Sequence, residues 1–189
     1  MGCSPTLGCP RSYSAVVAST RTIVGMGDVP FTNQKTPNAL RTGFIAGAAA
    51  SALSTMALAL TGKREVGSYS ASTNATSHWL WRDGALRVHS PTWRHTAAGY
   101  AIHHLTSTFW AVLYAWIYGN RPAARTFPAA LKGAAVASAV ACTVDYTLTP
   151  KRLTPGFEHH LSRGSMTLVY AGFALGLAVG CLAANRRCG

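Results

Sequence analysis

The stretch that most restricts this chain is Ala97 to Gly119, AAGYAIHHLTSTFWAVLYAWIYG. It holds 23 residues without a Lys, Arg, Asp or Glu, bracketed by Arg94 and Arg121. At about 1.5 Å of rise per residue it makes roughly 34 Å of helix, enough to cross a hydrocarbon layer about 30 Å thick. Three further apolar runs share its character, at about 42–61, 128–148 and 165–184. Basic residues flank them: Arg41 and Lys63-Arg64 around the first, Lys151-Arg152 after the third, Arg186-Arg187 after the fourth. The expected fold is all-α, an integral-membrane four-helix antiparallel bundle with short interfacial helices.

Charge supports that reading. Only 12% of residues are charged, against about 25% in an ordinary soluble domain. Seventeen Lys and Arg stand against five Asp and Glu, for a net charge of +12. In a soluble protein this would point to nucleic acid. Here the cations are spread between apolar runs instead of forming a patch, as charges that flank membrane helices and meet anionic headgroups do. The expected partner is therefore the lipid bilayer and not nucleic acid. Lys and Arg nearly balance between the two sides, so orientation stays open.

Residues 1–38 are rich in Ser, Thr, Gly and Pro and carry no apolar period, so they are expected as a disordered tail ahead of a membrane domain at 39–189. MGCSPT fits an acylation pattern with Cys3 as a second site, and Met26 offers a later translation start. The five cysteines match no zinc spacing.

Small residues mark the helix contacts. Gly43, Gly47, Ser51 and Thr55 form a ridge on the first run, and Gly172, Gly176 and Gly180 form another on the fourth. Such ridges let helices approach closely, within the bundle or between copies in a homo-oligomer. Ser70 to Asp83, with Trp79 and Trp81 beside Arg82, reads as a short helix lying at the headgroup level. A second interfacial turn is expected with Thr154 as its cap and Pro155 as its first residue. Asn74-Ala75-Thr76 fits the glycosylation sequon.

Chemistry concentrates on two helical stripes. Asp145 is the only carboxylate inside the apolar runs, and Ser138, Cys142 and Thr149 share its face. Tyr100, His103, Ser107 and Tyr114 form a similar stripe on the second run, with His104 on its flank. His103 lies about 9 Å in from Ala97 and Asp145 about 8 Å back from Pro150, on the same membrane face. The histidines and the acid should thus sit level, under a face loop carrying Glu158, His159 and His160.

Three readings of this set are open. A His–Asp hydrogen bond could knit two helices together, in a non-enzymatic structural or accessory membrane component. The pair could serve a small channel, carrier or proton relay, since burial and charge move imidazole titration across neutrality. Finally, His103 or His104 could ligate haem or a metal together with His159, His160 or His95. No HxxxH, CxxC or CxxCH occurs, so no metal or cofactor is expected. Nor does the chain carry GxSxG, a P-loop, GxGxxG or HExxH. Ser107 and His103 backed by Asp145 lack an identifiable oxyanion donor, so no catalytic residue is assigned and no enzyme is expected.

NATSHWLWRD, GYAIHHLTSTFWAVLYAWIYG and DYTLTPKRLTPGFEHHLS resemble motifs of a family of short four-helix bacterial membrane proteins of unknown function, distantly YagU-like, over about Ala39 to Ala184. The resemblance implies a helical fold in a bacterial inner membrane and implies no activity.

Overall fold

The structure is a computed structural model that describes residues 35–186, with side chains from residue 38. These belong to one compact unit, Gln34–Gly189. The expected tail lies outside the described residues, except that helix already begins at Lys35. The acylation pattern and the late start fall outside them too.

Among the described residues the chain is all helical. Its α-helices are α1 (Lys35–Val66), α2 (Ala71–Thr76), α3 (His78–Trp81), α4 (Ala98–Tyr114), α5 (Phe127–Thr147) and α6 (Arg163–Arg186). Three segments, Asn38–Val66, Phe127–Thr147 and Arg163–Arg186, are long and apolar enough to cross a membrane. The most apolar-looking run of the sequence differs. Its α-helical part has 17 residues, with a five-residue π turn at each end, Trp93–Ala97 and Ala115–Gly119. Helix therefore starts four residues before the expected Ala97. Thr92 sets that start, because its hydroxyl accepts from the His95 N–H at 3.1 Å while its own N–H donates to Thr96 Oγ1 at 2.9 Å.

Helix α1 is central and packs along both α4 and α6, while α5 lies chiefly on α6. The small residues explain these pairings. A Cβ on Gly43 would stand 2.4 Å from Val112 Cγ2, and one on Gly47 would stand 2.7 Å from Thr108 Cα, so this ridge faces α4. On α6, a Cβ at Gly176 would lie 2.4 Å from Ala50 Cα, and one at Gly180 would lie 2.6 Å from Ala46 Cα. Gly172 stands 3.2 Å by the same measure from the Leu53 carbonyl oxygen. Both glycine ridges thus meet neighbours within one chain. The α1–α6 seam is closed at one end by Glu65, whose carboxylate accepts the Ser162 N–H at 2.5 Å, the Ser162 hydroxyl at 2.7 Å and the Ser165 hydroxyl. An acid at the start of α6 also complements the helix dipole.

The connection between α1 and α4 departs from the expected interfacial helix. All six residues of α2 are buried, including Ser72, Thr73, Asn74 and Thr76. Asn74 is fully buried, donates to the Val88 and Ser90 carbonyls at 2.7 and 2.9 Å, and accepts from the Thr96 hydroxyl at 2.7 Å. This amide ties the following loop down, so the folded chain does not offer it as a glycosylation acceptor. A helix within Ser70–Asp83 is expected from the sequence; its burial is not, because side chains that are mostly Ser, Thr and Asn leave no apolar period.

The second expected interfacial turn is also rearranged. Two short 3₁₀ turns, Lys151–Leu153 and Phe157–His159, replace a helix starting at Pro155, and the Thr154 hydroxyl donates back to the Lys151 carbonyl at 3.1 Å. Between them Gly156 adopts φ +88° with Ala75 O 2.6 Å and His78 Nδ1 2.7 Å from where a Cβ would be. Only glycine meets both demands.

Candidate functional site

Although joined by a short connection, α4 and α5 touch little along their length. Near the connection they are clamped: the Tyr114 hydroxyl donates to the Ala130 carbonyl at 2.9 Å and the Tyr118 hydroxyl donates to that of Ala129 at 3.2 Å. Away from it a cavity of about 410 Å³ opens between α4, α5 and α6. Its wall is mainly apolar and aromatic, with Phe109, Trp110, Phe157, Val169 and Phe173. Trp110 also borders a second apolar groove of about 580 Å³ that continues between α4 and α5 toward Gly133.

Both His103 and Asp145 line the cavity, as does Ser107, which is 3% exposed. Yet the histidine and the acid have separate partners, and among the described residues no hydrogen bond joins Asp145 to His103 or His104. His103 Nε2 lies 2.8 Å from Ser54 Oγ. The Ser54 hydroxyl also lies within hydrogen-bonding distance of the Ala50 carbonyl, at 2.7 Å. Asp145 Oδ2 accepts the Tyr170 hydroxyl at 2.7 Å. Among the described residues no Lys or Arg pairs with this carboxylate.

His104 is turned elsewhere. Gly43 opposite Val112 and Gly47 opposite Thr108 set an antiparallel register that continues to Ser51 opposite His104. Both Ser51 Oγ and His104 Nδ1 are buried without a hydrogen-bond partner. The imidazole of His104 therefore belongs to the α1–α4 seam, with Tyr100 5.8 Å from it.

A lid covers the end of the cavity away from the α4–α5 connection. Trp79 lines the cavity and donates its indole N–H to the Thr154 carbonyl at 2.9 Å, which pins the 148–162 segment over the opening. Trp79 is thus tied to the protein and is not a free headgroup anchor. Thr76, 3% exposed, also lines the cavity, and its hydroxyl has no partner. Of the face-loop residues, Glu158 is half-buried with Oε2 unpartnered, and its charge acts on Asp145. His160 Nε2 hydrogen-bonds the Leu86 carbonyl at 2.9 Å, while His159 is exposed. His95 meets Trp81 edge to face, with ring centroids 5.1 Å apart. Among the described residues no three His, Cys, Asp or Glu side chains converge as a metal site requires.

The sequence reading missed Ser54, Thr76, Tyr170 and Trp110. Tyr170 carried a usable signal, a hydroxyl within an apolar run beside the Gly172 ridge. Ser54 sits one position off the small-residue ridge and had none.

Most polar groups of the cavity are already engaged. Thr106 donates to a carbonyl of its own helix, Thr149 donates to the Val144 carbonyl of α5, and Trp79 and Tyr170 are engaged as donors. What remains is the second oxygen of Asp145, an acceptor, and the hydroxyls of Thr76 and Ser107, each able to donate or accept. Comparison with known proteins adds no assignment, since no protein family, curated protein or solved structure matches the chain.

Proposed function

We propose that the chain is a multi-pass membrane protein that binds a small amphipathic amine in the cleft between α4 and α5, as a non-enzymatic component of the binding or carrier type. The α4 run with its π turns serves as the fourth span beside α1, α5 and α6, and the motif resemblance makes a bacterial inner membrane the expected site. The observation that carries the reading is Asp145: a carboxylate with one oxygen unpartnered in a mostly apolar cavity, with no cation of the described residues paired to it. An uncompensated charge within a membrane span costs roughly 2.5–3.5 kcal/mol, and a ligand ammonium would offset that. Aromatic walls suit both its alkyl body and its charge. The volume falls in the range of small-molecule sites.

The test is photolabelling in lipid nanodiscs with a long-chain alkylamine bearing an aryl diazirine, followed by peptide mapping. Labels are expected on cavity residues such as Phe109, Trp110 and Val169, and at least about tenfold less in Asp145→Asn. Ala141→Phe, which fills the cavity, should also exclude the probe. An alcohol of equal chain length should label wild type and Asp145→Asn alike. Amine labelling that is unchanged in Asp145→Asn, or confined to lipid-facing residues such as Phe44 and Leu60, would overturn the proposal.

A further inference from the structure

The amine cavity does not end at Trp110. That side chain belongs to its wall and also to the wall of the apolar groove of about 580 Å³ between α4 and α5, so the two spaces adjoin. Both helices carry one spacing across the junction. On α5, Gly133, Ala137 and Val140 line the groove and Val144 lines the cavity, at steps of four, three and four. On α4, His103 and Ser107 line the cavity and Trp110 and Tyr114 line the groove, again at four, three and four. Such steps keep side chains on one face of a helix, so the cleft is a single trough along the α4–α5 interface. A Cβ on Gly133 would lie 2.4 Å from Tyr118 Cδ1, and its absence lets the tyrosine ring close down as a wall of the trough.

The two ends of this trough carry opposite charges. Asp145 stands at one and Lys132 at the other, thirteen residues apart on α5, which is about 20 Å of helix. Between them α5 has no Lys, Arg, Asp or Glu. Lys132 is exposed, and among the described residues nothing pairs with its ammonium.

We infer that the ligand of the cleft is a long-chain amphiphile with an ammonium at one end and an acidic group at the other, long enough to reach from Asp145 to Lys132. This rests on the amine reading above and adds to it the length of the chain and the charge of its far end. Carbon–carbon bonds of about 1.52 Å meeting at about 111° advance an extended chain about 1.25 Å per bond, so 20 Å corresponds to about 16 carbons. Hydrogen bonds of about 2.8 Å at the two ends shorten the need to about 12. A second ammonium at the far end would face Lys132 and be repelled, whereas a carboxylate there is attracted. Because Lys132 is exposed, water and salt keep that preference modest.

The experiment uses two photoprobes in lipid nanodiscs: hexadecylamine with a diazirine beside the amine, and hexadecylamine with the diazirine at the chain end. The first should label Phe109 and Val169 in the cavity, and the second Ile117 and Val136 in the groove. Both labels should fall at least about tenfold in Asp145→Asn. Chain-end labels on Ile117 and Val136 that Asp145→Asn leaves unchanged come from chains dissolved in the bilayer and would overturn the proposal, while the near-amine label still reports the amine site by itself. Competition against the near-amine probe, at matched membrane mole fractions, reads the far end. The ω-amino acid of the same chain length should compete about fivefold better than the α,ω-diamine at low salt. Lys132→Glu, a surface substitution compatible with folding, should reverse that order and leave competition by hexadecylamine unchanged. Equal competition by the amino acid and the diamine in both proteins overturns the proposal. Loss of Asp145 dependence by the near-amine label is the separate result that removes the amine reading and this inference together.

Discussion

Asp145 and Tyr170 belong to different helices, and among the described residues their 2.7 Å hydrogen bond is one of three direct polar links from α5 to α6, beside Ser138 Oγ to the Tyr170 carbonyl at 2.8 Å and the Tyr146 hydroxyl to Met166 Sδ at 3.7 Å. Interhelical polar contacts in membranes average about 0.6 kcal/mol and reach about 1.7 kcal/mol. A double-mutant cycle with Asp145→Ala and Tyr170→Phe, read by unfolding in mixed micelles, should give a coupling energy in that range. Zero coupling would mean the pair is not formed. A second residue-scale consequence concerns Arg82. It has φ 53° and ψ −149°, a region nearly reserved for glycine, where a side-chain-bearing residue stores about 1–3 kcal/mol of strain. Arg82→Gly should therefore raise stability by about 1 kcal/mol, after the extra freedom glycine has when unfolded is subtracted. A fall in the melting temperature would contradict this.

At the scale of the helices, glycine decides which ones meet. Gly176 faces Ala50 Cα and the Ala49 carbonyl oxygen, backbone atoms that cannot rotate away. Gly176→Leu should cost about 3 kcal/mol or more and separate α6 from α1, seen as a large drop in melting temperature in detergent. Gly84→Ala is the matched control, because nothing lies within 4 Å of its Cβ position, and it should stay within about 0.5 kcal/mol of wild type. The two ridges were legible as small residues every four positions. Their partners were not: period alone says that a face is smooth, not which helix covers it. Helix limits were legible where apolar runs met Arg, Lys or Pro, as at Phe127–Thr147. They were not legible at Thr92, whose cap lies in a polar segment ahead of the apolar run. The burial of α2 was not legible either, because four of its six side chains are Ser, Thr or Asn and its tie to the loop runs through the Asn74 amide.

For the molecule as a whole, sequence adjacency overstated how closely the candidate side chains approach one another. A short connection between α4 and α5 suggests paired neighbours with His103 touching Asp145, and depth alone puts them level. Both do line one cavity, but α1 and α6 take up the close contacts and leave α4 and α5 splayed about their connection. Depth follows from helical rise and is readable; lateral separation follows from which ridges interlock and is not. The splay has a mechanical consequence. Helix α5 is held to α6 along one side and to the α4 run through the Tyr114 and Tyr118 hydroxyls near its start, so it is the long helix best placed to swing and admit a ligand. Tyr114→Phe/Tyr118→Phe removes two hydrogen bonds worth about 0.5–1.5 kcal/mol each, one of them from a buried hydroxyl. The pair of substitutions should lower global stability by about 1–3 kcal/mol and raise amide exchange selectively over the first turns of α5, as measured by mass spectrometry in nanodiscs. If exchange rose equally in α1 and α6, the clamp would be an ordinary part of the core and α5 would have no freedom of its own. If instead α5 alone loosened, amine labelling of the cleft should quicken in the same variant, because the helix that bounds the cavity would open more often.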